Sequence, residues 1–174
     1  MRYVELGAAA VSSSAVSSAA VSSSGTATEA GGAAGVLDPG PYLAVLPGLA
    51  ERLPPGARAF ATDPGHYAFG GRRCVKDLRP GEVRRTGDET VEIRFGHNCW
   101  KHDEDLVVRY RGVVRFQADV LGACALDDLG DVVLDEILPH PHGCTHEIAC
   151  RPGSLVVVCQ DLEAEWTPAD CARS

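Results

Sequence analysis

Apolar and polar residues alternate along much of the chain after residue 72, and this alternation predicts β-strands. Val91, Ile93 and Phe95 alternate with Glu92 and Arg94, the period-two pattern of a strand with one buried face. Similar short patterns predict further strands at 74–78, 82–84, 106–111, 114–120 and 132–138. With a final hairpin, the count is about seven strands, and we expect them to pair mainly antiparallel.

Two turns set the expected registers of these hairpins. The loop Thr86-Gly87-Asp88 would place Val83 beside Val91. Near the C-terminus, Pro152-Gly153 suits a type II turn in which the glycine takes a positive φ. That turn pairs Cys150 with Leu155, Ile148 with Val157, His146 with Cys159 and Cys144 with Asp161. We therefore expect Cys150 in the core, and Cys144 and Cys159 near His146.

The segment before these strands has helical rather than strand periodicity. Its leucines recur at the spacing of one helix face, at Leu43, Leu46, Leu49 and Leu53. Asp38 is a candidate N-cap. Pro47 should start a second turn or kink the first, and 54–56 (Pro-Pro-Gly) should end the helix. We predict one short, broken helix, then a loop-rich connection over 58–71, and hence an α+β fold.

Residues 1–36 differ in composition from the rest. They repeat Ala, Val and Ser roughly as AVSSS and are rich in glycine, which is typical of a flexible leader. A degenerate export signal is the alternative, although serine interrupts every apolar pair. The expected organisation is a leader at 1–36 and a single β-rich domain at 37–174.

Charge excludes some classes of partner. The net charge is -8, which argues against nucleic acids and anionic membranes because both attract basic surfaces. Residues 127–170 hold ten acidic side chains and one basic one, so we expect an acidic surface there that suits a basic protein partner. No stretch has the ~20 apolar residues that span a bilayer. The seven dispersed cysteines favour a reducing cytoplasm over a secreted scaffold.

Five of the six histidines fall in two short stretches that also hold cysteines. Such side chains bind zinc and carry nucleophilic or proton-transfer chemistry. The candidate metal ligands are His140, His142, Cys144 and His146, and a second cluster is His97, Cys99 and His102. The prolines at 139 and 141 favour the interpretation that the histidines are polar loop residues that hydrogen-bond carbonyls. We therefore expect no cofactor, and zinc is the alternative.

Thiol catalysis and carboxylate chemistry are further options. Cys99 next to His97 and His102, or Cys144 between His142 and His146, places a base near a thiol. Inert packing is nevertheless the favoured interpretation for both cysteines, because cysteine is commonly buried. The acidic runs 103–105 and 135–136 suit acid–base work. For these carboxylates, solvated loop charges are the favoured interpretation.

Three segments, 74–78, 91–95 and 105–113, resemble a pattern of small, uncharacterised bacterial β-sheet proteins, some of which are similar to immunity proteins of toxin systems. The resemblance implies a twisted antiparallel sheet and a protein partner, and it brings no catalytic residues. The expected function is therefore non-enzymatic protein binding, immunity-like, in a bacterial cytoplasm. The alternative is a zinc- or thiol-dependent enzyme that uses the loop 140–146.

Overall fold

The α+β fold predicted from the sequence is confirmed by a computed structural model, which describes residues 38–87, 89–119 and 126–169. Within these ranges the protein has two short α-helices, one 3-10 turn and eight strands. All the strand pairs are antiparallel. The predicted leader, 1–36, lies outside the described residues.

The strands form two four-stranded sheets. The helices are α1 (Gly40–Ala50) and α2 (Pro55–Ala61). The first sheet has the order β1-β2-β3-β8, with β1 Arg79–Arg85, β2 Val91–Gly96, β3 Glu104–Arg111 and β8 Asp161–Pro168. The second has the order β4-β7-β6-β5, with β4 Arg115–Asp119, β5 Gly130–His140, β6 Gly143–Pro152 and β7 Ser154–Cys159. One cluster of buried apolar residues joins both sheets and both helices.

The strand predicted at 74–78 is wrong, because this segment is a series of turns. Asp77 has a φ of 72°, a left-handed conformation that interrupts an extended backbone. Its carboxylate contacts Lys76 Nζ at 2.5 Å and Lys101 Nζ at 2.8 Å, and its N–H donates to Val132 O at 2.8 Å. The turn therefore joins the first sheet to β5.

Both predicted hairpin registers are wrong by two residues. Val83 lies opposite Ile93 instead of Val91. In the β6–β7 hairpin the turn centres on Arg151 and Pro152, since the Cys150 N–H donates to Gly153 O at 2.7 Å. The observed pairs are Cys144 with Cys159, His146 with Val157 and Ile148 with Leu155. Gly153 also lacks the expected positive φ. Because side chains alternate with a period of two, a shift of two residues leaves each side chain on the sheet face that was predicted for it.

The helical segment also differs from the prediction. α1 continues through Pro47, and its N-cap is Pro39 instead of the expected Asp38, with no side-chain cap hydrogen bond. The Asp38 carboxylate, one residue before the cap, accepts the Gly40 N–H at 2.8 Å. The diproline does not end the helical region, because Pro55 begins α2, at a first-turn position that proline tolerates. The expected loop over 58–71 therefore begins only after Ala61.

A side chain from the opposite end of the chain anchors α2. The Asp161 carboxylate accepts the backbone N–H groups of Gly56 at 3.1 Å and Ala57 at 2.9 Å, which satisfies two of the unpaired donors of a helix start. A Cβ on Gly56 would lie 2.0 Å from Leu162 O, so only glycine permits this approach. The anchor sets the position of the loop that carries His66.

Neither helix in the described part of the chain is long and apolar enough to cross a membrane.

Candidate active site

The loop 97–102, between β2 and β3, is braced by hydrogen bonds to one buried histidine. The Nδ1 atom of His102 accepts the Asn98 N–H at 3.2 Å, and its Nε2 donates to Cys74 O at 3.1 Å. The N–H groups of Lys101 and His102 both donate to Asn98 O at 2.8 Å. Burial, with the positive charge of Lys101, lowers the pKa of His102. This neutral ring is therefore a structural part of the loop, which fits the polar-loop interpretation for His102.

On the outer side of this loop, three side chains form a Cys–His–Asp relay. The Sγ atom of Cys99 lies 3.2 Å from His97 Nε2, and His97 Nδ1 lies 2.6 Å from Asp105 Oδ1. The same Asp105 oxygen accepts the His97 backbone N–H at 2.8 Å. Asp105 thus holds both the backbone and the ring of His97, and the ring is aimed at the thiol.

Asp105 is not the solvated loop charge expected from the sequence, because it lies on β3 and is buried. Burial alone would raise its pKa, but hydrogen bonds from Arg94 and His97 outweigh burial and lower it. Arg94 on β2 contacts Asp105 Oδ2 through Nε at 3.0 Å and Nη2 at 2.5 Å. The carboxylate is therefore ionised near neutral pH and accepts a proton-bearing nitrogen from His97.

The charge on Asp105 determines what the His97 ring can do. The hydrogen bond to Asp105 is the main cause that raises the pKa of His97. With Nδ1–H directed at Asp105, the Nε2 atom faces the Cys99 thiol and can take its proton. This is the arrangement of an activated nucleophile: a thiol, a base within hydrogen-bond reach and a third group that orients the base.

The relay opens onto a cleft of about 510 Å³. The cleft is lined by residues 79–82 of β1, by residues 97–99, and by Arg94, Asp77 and Asp131. Cys99 is exposed there, so a small molecule or a peptide segment can reach its sulfur. None of the residues 140–146 lines this cleft.

The proposed metal ligands of the loop 140–146 are divided between surface and interior. His140 and His142 are exposed at the turn between β5 and β6, where His142 Nε2 donates to Gly112 O at 3.2 Å. Cys144 and His146 are buried. Among the described residues, no group of three or more His, Cys, Asp or Glu side chains is arranged to hold a metal ion.

His146 belongs to a buried polar cluster that the sequence did not reveal. Its Nε2 lies 2.9 Å from Asp135 Oδ2, and its Nδ1 lies 2.9 Å from the Tyr110 hydroxyl. His66 Nε2 lies 2.9 Å from both oxygens of Asp135, and its Nδ1 lies 3.0 Å from Phe60 O. The four side chains are at most 2% exposed, so substrates do not reach them.

The charge of Asp135 sets the direction of the hydrogen bonds in this buried cluster. Burial would raise the pKa of Asp135, but His66 and His146 outweigh burial and lower it. Asp135 is therefore ionised and accepts from both rings. Both nitrogens of His66 face acceptors, namely Phe60 O and the Asp135 oxygens. His146 Nε2 donates to Asp135 Oδ2, and its Nδ1 pairs with the Tyr110 hydroxyl.

Most of the acidic side chains that the structure describes in 127–170 have partners within the molecule. On the outer face of the first sheet, Arg109 bridges Glu92 at 2.7 Å and Glu165 at 2.8 Å, and Arg111 pairs with Glu163. Asp135 and Glu136 are buried. The expected acidic surface is therefore smaller than the charge count suggests.

Two of the residues that complete these clusters lay in acidic runs considered from the sequence, Asp105 and Asp135, whereas His66 was missed. His66 is the one histidine outside the two stretches, and its partner Asp135 is 69 positions away. No local spacing could have joined them.

Comparison of the chain with protein-family models and with curated proteins gave no match.

Proposed function

We propose that the protein is a cysteine-dependent acyl-transfer enzyme in which Cys99 is the nucleophile, His97 the general base and acid, and Asp105 the orienting residue. The observation that carries this proposal is the relay of Cys99 Sγ, His97 and Asp105 Oδ1, with separations of 3.2 and 2.6 Å. Both distances fall within the range that a nucleophile and its base need.

In the first half-reaction, His97 Nε2 takes the thiol proton, and the Cys99 sulfur attacks a carbonyl carbon of the substrate. As the tetrahedral intermediate collapses, a thioester bond to Cys99 forms and the bond to the leaving group breaks. The proton on Nε2 passes to that leaving group. Asp105 stabilises the imidazolium throughout, since its carboxylate faces Nδ1–H.

In the second half-reaction, water attacks the thioester while Nε2 takes one of the water protons. The carbon–sulfur bond breaks, the acid product leaves, and the proton returns to the Cys99 sulfur. No redox partner or metal enters this sequence.

The surrounding residues support the relay by fixing its geometry. Arg94 holds Asp105 from β2, and His102 fixes the backbone of the loop. Such preorganisation matters because small misplacements of a catalytic group cost large factors in rate.

The test uses p-nitrophenyl acetate as the acyl donor. We expect the full-length protein to release nitrophenol and to carry an acetyl group on Cys99, located by peptide mass spectrometry. Cys99→Ser should lose this adduct, and His97→Ala should slow acetylation by about 10²–10⁴-fold, the usual contribution of general base catalysis. Cys150→Ser is the matched control, because Cys150 lies in the core.

Asp105→Asn tests the orienting role separately from folding. We expect slower acetylation and a changed pH–rate profile, while thermal melting identifies any loss of fold. Acetylation of Cys99 at equal rates in the wild type and in folded His97→Ala would contradict the proposal.

A second candidate is binding of a basic protein in a bacterial cytoplasm, the function expected from the sequence. The net charge of -8 supports it, as does the Trp100 indole, which is 74% exposed. Its probe is polylysine, and the readout is tryptophan fluorescence in Trp166→Phe, which leaves Trp100 as the sole tryptophan. A salt-sensitive change in fluorescence, in a protein that does not acetylate Cys99, would favour binding over catalysis.

A further inference from the structure

We propose that Cys144 and Cys159 form a reversible disulfide across β6 and β7. The two residues lie directly opposite each other in the antiparallel pair, and their Sγ atoms are 3.6 Å apart. Both side chains are fully buried. The pair lies on the inner side of the sheet, outside the Cys99 cleft, so this inference does not rest on the proposed enzyme.

The directly opposed strand positions of the two cysteines suit such a bond. Opposed residues on antiparallel strands have Cα atoms about 4.5–5.5 Å apart, and disulfides span Cα separations of about 4.4–6.8 Å. The sulfurs must approach from 3.6 Å to about 2.05 Å. A change in side-chain torsion supplies this movement, so the strands can stay paired.

The reaction is a thiol–disulfide exchange with a small-molecule disulfide such as oxidised glutathione. One protein thiolate attacks a glutathione sulfur, which forms a mixed disulfide and releases one reduced glutathione. The second protein thiolate then attacks the protein sulfur of that mixed disulfide, and a second reduced glutathione leaves. The protein loses two electrons and two protons, and the glutathione disulfide accepts the two electrons.

Burial controls access to this exchange. The hydrogen bond with Cys144, together with burial, raises the pKa of the Cys159 thiol. Cys159 is therefore a poor nucleophile while the hairpin is closed. Exchange therefore proceeds when the hairpin opens locally, and the disulfide is buried again once the strands close. Cys150 is the matched comparison because it is buried on the same strand but faces Val132.

The test compares reduced protein with protein treated with oxidised glutathione, both folded and during refolding from urea. After denaturation and alkylation, cleavage at glutamate separates the peptides 137–147 and 148–163, which hold Cys144 and Cys159 respectively. Cys150→Ser serves as the background, because it leaves Cys159 as the sole cysteine of the second peptide. We expect these two peptides to be joined, and the joining to reverse with dithiothreitol.

The folded-state geometry gives a second readout. If the bond fits the native hairpin, the melting temperature should rise by about 5–10 °C on oxidation, the size expected for a short closed loop in a chain of this length. The rise should be absent in Cys144→Ser and in Cys159→Ser. Alkylation of both cysteines in both arms of the experiment, or a linked protein that melts below the reduced one, would overturn the proposal.

Discussion

Asp135 offers a sharp test of the buried cluster, because its carboxylate is the only anion between two histidine rings in the described hydrogen-bond network. His66 Nε2 lies 2.9 Å from both oxygens, and His146 Nε2 lies 2.9 Å from Oδ2. In Asp135→Asn one oxygen becomes an amide N–H₂ that faces an N–H donor. One hydrogen bond to a charged group is lost, and the two buried rings lose the carboxylate that they share.

The expected loss of stability in Asp135→Asn follows from these contacts. A hydrogen bond to a charged group contributes about 1.5–3 kcal/mol, and removal of one partner from a buried ion pair costs about 3–5 kcal/mol. Asp135→Asn should therefore lower the free energy of unfolding at pH 7 by about 3–5 kcal/mol. The assay is urea unfolding followed by circular dichroism. The matched control is Asp131→Asn, whose half-exposed side chain pairs with Arg79 at 3.1 Å and should cost less than about 1 kcal/mol.

The pH dependence gives an independent check. The folded-state pKa of Asp135 is lowered, so its contribution is fully present above the unfolded carboxyl pKa of about 3.9. That contribution is lost as the pH falls from there through the folded-state value. The stability gap between wild type and Asp135→Asn should therefore shrink below about pH 4. Two results would refute the ionised state assigned to Asp135. One is a loss of unfolding free energy under about 1 kcal/mol at pH 7, and the other is a difference between wild type and variant that stays constant with pH.

Three further predictions concern other parts of the fold. Gly143→Ala should lower the free energy of unfolding in urea by at least about 2 kcal/mol. The reason is that Gly143 has a φ of 138° and a Cβ there would lie 2.2 Å from a backbone oxygen. In the control Gly48→Ala the added Cβ meets nothing within 4 Å, so this change should instead stabilise the protein by about 0.5–1 kcal/mol. Tyr42→Phe should cost about 1–3 kcal/mol, because the hydroxyl donates to Ile137 O at 2.9 Å and accepts its N–H at 3.1 Å. Metal analysis of purified protein should find no stoichiometric zinc, since the loop 140–146 divides its ligands between surface and core; one zinc per chain would restore the metal interpretation.

Periodicity predicted the strands because half-buried strands repeat every two residues, and this local signal located β2, β3 and β5. The register of a hairpin depends on which two residues occupy its turn. The sequence favoured Pro152 and Gly153, whereas Arg151 and Pro152 occupy the turn in the structure. The strand β8 was missed although Leu162, Ala164 and Trp166 alternate with Glu163 and Glu165. Its pairing partner β3 is distant in sequence.

The candidate site was predictable only in part. His97 and Cys99 were visible as neighbours in a polar stretch, but the hydrogen bonds of His102 fold that stretch so that thiol and ring meet. Asp105 looked like one of three loop charges until the β2–β3 pairing buried it beside Arg94. The sequence emphasised the loop 140–146, where the structure divides the side chains between surface and interior.

The reactivity of Cys99 toward iodoacetamide, measured against pH, tests the central claim most directly. Peptide mass spectrometry would follow Cys99 alone, in the wild type and in His97→Ala. An ordinary thiol titrates near pH 8.5, so few molecules are thiolate at about pH 6. With the relay intact, we predict that wild-type Cys99 reacts at least about tenfold faster at that pH than Cys99 in His97→Ala. Equal rates, both rising as those of an ordinary thiol do, would contradict the claim that His97 activates Cys99.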